Sequence, residues 1–142
     1  MLYKDLVVWQ KAHGLSLRAI KAVDAMQGSR ATNVVATQLL SAVTSIGANI
    51  AEGYGRNGKK EYARFLQIAY GSANETDNWL TLVRDARLLP TQLADELMAE
   101  NEEILRMLWT LLRRLRGDGV PADRVVTEDG AKYAWEVDHG DH

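Results

Sequence analysis

The 142-residue sequence contains no cysteine. Disulfides, thiolate metal sites and a thiol nucleophile are therefore excluded. Histidine is nearly as scarce, since His13 is the only one before residue 139. With no second histidine to share a site, His13 reads as a surface or packing side chain rather than a base or ligand. Proline occurs only at positions 90 and 121, and both fall where the helical pattern breaks. No uninterrupted apolar run approaches the roughly 20 residues that span a bilayer, so no membrane partner is expected. The start, Met1-Leu2-Tyr3-Lys4-Asp5, leads straight into an amphipathic pattern rather than the apolar core of a signal peptide. The expected location is the cytoplasm.

What is present is enough for one domain with a sizeable core, 46% of the residues being hydrophobic. Four amphipathic helices are predicted. The first covers residues 6–26, where Val8, Ala12, Leu15, Ala19, Ala22 and Met26 recur every three or four positions. The second starts at Ser29 or Thr32, either a suitable cap, and runs to residue 51 or 52 along the seam Val35, Leu39, Ala42, Ile46, Asn49. The third covers 60–87, with small residues Ala69, Gly71, Ser72 and Ala73 in its middle. The fourth begins after Leu88-Leu89-Pro90, with Thr91 as its expected cap, and runs to 116. Leu93, Leu97, Ile104, Leu108, Leu111 and Leu115 keep heptad order there, interrupted by the polar Asn101. Leu105, Trp109 and Leu112 widen this apolar face beyond what one core needs, which motivates self-association. Short links between long helices predict an all-α, antiparallel up-down-up-down four-helix bundle over 1–116.

Residues 117–142 form a different region. They hold seven acids against Arg124 and Lys132, whereas 1–116 carry fifteen bases against twelve acids. A mildly basic body with an acidic C-terminal tail describes the chain better than its net charge of −2. Tyr133, Trp135 and Val137 alternate as in a short strand, so the tail reads either as an extended docking arm or as disordered.

Catalytic patterns are weak. The stretch Gly53-Tyr54-Gly55-Arg56-Asn57-Gly58-Lys59-Lys60 matches glycine-rich nucleotide motifs by letter, but a helix precedes it where those motifs need a strand. It reads as a helix–helix connection. Asn49, Glu52, Gly53 and Gly55 are read as structural, with Asn49 pairing backbone groups of the following turn; ligand contact is the alternative for Asn49. The E-x-x-H at Glu136 to His139 is single, whereas di-iron bundles use paired motifs on two helices. No catalytic residue, metal site or cofactor is expected, and the reading is a non-enzyme.

Charge says more. The up-down order places Arg56, Lys59, Lys60 and Arg64 at the same end as Arg113, Arg114 and Arg116, with Lys4 nearby. The helix macrodipole accounts for bases at the end of helix four, but acids are favoured at the start of helix three. These bases are the candidate polyanion-binding residues. Tyr54 stands among them, either stacking on an unpaired base or packing over the bundle end.

The stretch from Ser45 through Gly53-Tyr54-Gly55-Arg56, then Phe65-Leu66-Gln67-Ile68-Ala69-Tyr70-Gly71-Ser72-Ala73-Asn74-Glu75, resembles the 23S rRNA-intervening-sequence family of four-helix bundles. Leu6-Val7-Val8-Trp9-Gln10-Lys11-Ala12 and Gln38-Leu39 carry the same resemblance, which covers about residues 3–116. The family usually has proline where this chain has Gly47, and the acidic tail lies outside its pattern. The resemblance implies a bacterial cytoplasmic bundle, commonly a homopentamer, and an association with RNA for members encoded in ribosomal RNA genes. Related accessory proteins of diversity-generating retroelements form basic pentameric rings that contact nucleic acid and a reverse transcriptase. Two functions follow as expectations: a ring-forming adaptor that binds RNA or a nucleoprotein through its basic end, or a protein–protein scaffold that binds no nucleic acid.

Overall fold

The computed structural model describes residues 1–117. The expected form of the acidic tail therefore lies outside the described residues. Four helices follow a 3-10 turn at Tyr3–Asp5: α1 (Val7–Asp24), α2 (Arg30–Tyr54), α3 (Lys59–Asp85) and α4 (Thr91–Leu115). Their connections are too short to cross the molecule, so successive helices run antiparallel. α2 packs most extensively on α3, α3 on α4 and α1 on α2, while α1 and α4 make the least contact. Leu15, Leu39, Ile46, Leu66, Leu80, Leu97 and Ile104 fill the interior and are all but solvent-free. Burying each contributes about 1.5–3 kcal/mol, which holds helices whose individual propensities would not.

The helix ends show how the sequence sets the connections. Ser29 Oγ accepts from the Thr32 backbone N–H at 3.1 Å, capping α2. α2 continues through Gly53 and Tyr54, two residues beyond its expected end. Gly58, at φ 85°, is the turn residue that needs glycine before α3. Gly55 has a right-handed φ of −79° and does not. Thr91 does not cap α4 as expected: it is the first helical residue, Pro90 precedes it, and no side chain caps that end.

α3 ends in a Schellman arrangement, with the Leu88 N–H on the Val83 carbonyl (2.9 Å) and the Arg87 N–H on that of Arg84 (3.0 Å). Arg87 stands at the left-handed position with φ 59°, where a Cβ is unfavourable. Arg87→Gly is expected to raise stability by about 1 kcal/mol, measured as a shift in the urea midpoint at unchanged slope.

Two interfaces differ in kind. Along α2 and α3 the backbones come close at Gly53, where a Cβ would sit 2.7 Å from Phe65 Cβ. Along α1 and α4 the seam is bridged by charge: Lys11 pairs with Glu103 at 2.9 Å, and Arg18 reaches both Glu96 (3.0 Å) and Glu100. The hydrogen bonds that Arg18 donates to Glu96 and then Glu100 raise its pKa further, keeping the guanidinium charged. Such half-exposed pairs contribute up to about 1 kcal/mol each.

Asn101 is the fully buried polar side chain of α4. Its Nδ2 donates to the Ala73 carbonyl at 2.8 Å, across the interface where α3 carries its small residues, and its Oδ1 has no partner. Asn49 is only half-buried, and its Nδ2 donates to the Ser45 carbonyl one turn back, at 2.8 Å. That corrects the expected bond to the following turn: the side chain folds back along its own helix. Leu112, read as part of a spare apolar face, is also corrected, because it is 1% exposed and belongs to the core.

α2 is the described helix long and apolar enough to cross a membrane by length and composition. Thr, Ser, Gln and Asn interrupt it, so no continuous apolar run shows in the sequence. Leu39, Val43, Ile46 and Ile50 face the bundle, while Asn33, Thr37, Gln38, Ser41 and Thr44 face out. This is the pattern of a core helix.

Candidate nucleic-acid interface

One end of the bundle gathers the N-terminus, the α2–α3 connection and the last turns of α4. Tyr54 ties two of these together, its hydroxyl donating to the Met1 carbonyl at 2.7 Å. Its ring also meets Tyr62 edge-on, with centroids 6.4 Å apart. Tyr54 thus packs over the bundle end, the second of its two sequence readings. Burial, with a smaller contribution from Tyr54, pushes the Tyr62 phenol well above its ordinary range, so it stays neutral.

The basic residues divide into two groups. Arg56 donates to Glu52 Oε1 at 2.6 Å and lies 5.1 Å from the Phe65 ring centroid; Arg64 pairs with Glu61 at 3.3 Å and lies 4.4 Å from the same ring. Phe65 is therefore flanked by two guanidiniums, each with its own carboxylate. These arginines help cover an aromatic side chain at the bundle end, and their charge is largely answered. Glu52 thereby gains a role as the partner of Arg56. Arg116 donates to Gln67 Oε1 at 2.9 Å, which leans the end of α4 onto α3. Arg113 is exposed and 5.9 Å from the Trp109 ring. Lys59 and Lys60 are exposed at the start of α3, and Arg114 is half-buried near the end of α4.

Among the described residues the balance of this end is positive. Lys4, Arg56, Lys59, Lys60, Arg64, Arg113, Arg114 and Arg116 stand here with Asp5, Glu52 and Glu61. Eight of the fifteen bases in residues 1–116 collect here with three of the twelve acids. The remaining acids line the middle and far end, notably Asp95, Glu96, Glu100, Glu102 and Glu103 on α4.

Two apolar surface features remain, and only the second went unread in the sequence. Trp109, 49% exposed, lies 6.0 Å from Tyr70 across the α3/α4 seam. On the opposite side, α1 and α2 frame an apolar groove of about 360 Å³ where Trp9 stacks on His13 at 4.8 Å and meets Tyr3 edge-on. Gly47 forms part of its floor, its missing Cβ falling 3.5 Å from Trp9 Nε1. The i,i+4 spacing of Trp9 and His13 was the available signal. Among the described residues, no group of three His, Asp or Glu side chains could hold a metal ion. The E-x-x-H of the tail lies outside them.

The fold and this end define an all-α four-helix bundle with a charge-polarised surface. Residues 4–110 match the family described as 23S rRNA-intervening sequence protein, and the chain belongs to that family. Among solved structures it is similar to a protein of the S23 ribosomal protein family from Bacteroides thetaiotaomicron VPI-5482, described as of unknown function. The two share 26% identity with a TM-score of 0.71, over 75% of this chain and 99% of that one. No curated protein matches the sequence.

Proposed function

We propose that this protein is a non-enzymatic, self-associating adaptor of the cytoplasm that binds RNA or a nucleoprotein through its basic end. The observation that carries the reading is the segregation of charge: more than half of the bundle's bases collect at one end with a quarter of its acids. Lys59, Lys60 and Arg113 are exposed there, so phosphates can approach them. The match to a family named for a ribosomal RNA intervening sequence favours RNA as the polyanion.

Self-association rests on the α3/α4 face, where Trp109 remains in solvent beside Tyr70. A pentamer is the state that the family resemblance implies. Repeating the basic end around an assembly would convert weak contacts into avidity. Light scattering at micromolar concentration is expected to give the mass of an oligomer, and Trp109→Glu to reduce it. A wild-type monomer would remove the multivalent part of the reading.

RNA binding is tested by fluorescence anisotropy with a structured RNA at low salt. Reversing both Lys59→Glu and Lys60→Glu is expected to weaken binding at least about tenfold while leaving the melting curve unchanged, since both side chains are exposed. A variant that binds like wild type would leave the scaffold reading in place.

A further inference from the structure

The α1/α2 groove is an apolar surface without an assigned role. Leu17 is 51% exposed and Ile20 41%, and Trp9, His13 and Ala48 continue the same strip. We propose that the occupant of this groove is the chain's own acidic C-terminal arm, with Tyr133, Trp135 and Val137 seated against Leu17, Ile20 and His13.

Four observations converge on that segment. First, position: α4 ends at the same end of the bundle at which the groove begins, beside Tyr3 and Ala51. Second, reach: the sixteen residues that follow Gly117, up to Tyr133, span up to about 50 Å when extended, against roughly 20 Å along α1 from its first turn to Ile20. Third, composition: in an extended segment Tyr133, Trp135 and Val137 fall on one face while Glu136 falls on the other. Fourth, charge: residues 118–142 hold seven acids against two bases, and Lys21, exposed beside Ile20, has no ion pair among the described residues. Asp24, one turn further along α1, is the opposing charge, and the α2 wall of Thr44, Gly47, Ala48 and Ala51 is neutral. The S23-family structure of similar fold is accounted for almost entirely by 75% of this chain, so the arm adds to what the two proteins share.

A docked arm has a consequence for the basic end. On the way from Gly117 to the groove, Asp118, Asp123, Glu128 and Asp129 pass the end that carries Lys4, Lys59 and Lys60. The arm then competes with an external polyanion for those bases. This consequence rests on the RNA reading; the docking itself does not.

The absence of native cysteine makes disulfide trapping in the full chain direct. Ile20→Cys with Val137→Cys is expected to form an intramolecular cross-link under mild oxidation, at a rate independent of protein concentration. It should form at least about tenfold faster than Glu75→Cys with Val137→Cys, which places the partner thiol on α3, diagonal to α1. Adding Trp135→Ala, a change outside the described bundle, should remove that preference. Equal rates at both positions, cross-links only between chains, or a preference indifferent to Trp135→Ala would each overturn the proposal. Because no RNA is present, a failure of RNA binding leaves this result unaffected, and the converse also holds.

Discussion

Replacing Gly53 by valine is expected to lower the stability of the bundle by about 3 kcal/mol. The position lies on the face of α2 turned to α3, and even a lone Cβ would stand 2.7 Å from Phe65 Cβ and 3.3 Å from the Tyr62 carbonyl. Neither is the yielding tip of a long side chain. Relief requires α2 and α3 to move apart, and with them Tyr62 and Phe65, which close this end of the core. Glycine in a helix interior normally costs about 1 kcal/mol relative to alanine, so alanine at 53 regains part of what the clash takes away. Valine regains less and adds volume. Gly14 and Gly71 supply the control, because a Cβ at either meets nothing within 4 Å. Gly71→Ala should therefore stabilise by about 1 kcal/mol. Urea midpoints for the three proteins check both signs. A Gly53→Val protein as stable as wild type would show that the helices are not in close contact there.

The second large effect is expected at Asn101. Asn101→Asp puts a carboxylate where the side chain is fully buried and its one partner is the Ala73 carbonyl. The ionised form meets a repelling oxygen and no donor, at a cost of at least about 3 kcal/mol at neutral pH. The protonated form can donate to Ala73 much as the amide does. The folded-state pKa is thus raised above the unfolded value of about 3.9. The variant should then approach wild-type stability below pH 4. It should lose ground as pH rises, and level off only above the raised folded value. Asn101→Leu has no such pH dependence. It should also match or exceed wild-type stability, because it removes the unpartnered Oδ1 while the Ala73 carbonyl keeps its partner within α3. Denaturation of the three proteins between pH 4 and 8 separates these outcomes.

The helices were legible in the sequence because apolar spacing, Ser29 as a cap and the break before Pro90 all agree. What distinguished one polar or glycine residue from another was not. Gly53 and Gly55 are two positions apart on a helical path and so face different directions; only the placement of Phe65 shows which one needs to be glycine. Asn49 and Asn101 both occupy seam positions of amphipathic helices. Asn49 stays half-buried near the bundle end, whereas Asn101 lies opposite small residues in mid-bundle and is enclosed. Arg87 could not be foreseen at a left-handed position, since the preference there is for glycine.

At the candidate site the clustering of charge followed from helix order, but its partial cancellation did not. Glu52 and Arg56 are four apart and Glu61 and Arg64 three apart, both spacings that bring side chains together on a helix. Those pairs shift the emphasis from the arginines beside Phe65 to Lys60 and Arg113. Trp109 was legible as spare apolar width on α4, whereas the α1/α2 groove depends on which neighbour leaves a helix uncovered, and spacing alone does not encode that.

The salt dependence of RNA binding tests the central claim most directly. The core residues among the described residues all lie before Gly117, and residues 1–117 are compared with the full chain. If phosphates meet Lys59, Lys60 and Arg113, log K against log salt should fall with a slope of about −2 or steeper for each protomer engaged. The shorter protein should bind more tightly than the full chain, and reversal of Lys59 and Lys60 should flatten the slope. Binding absent from both proteins at low salt, or a slope near zero, would contradict the account and leave a scaffold whose basic end has no polyanion to hold.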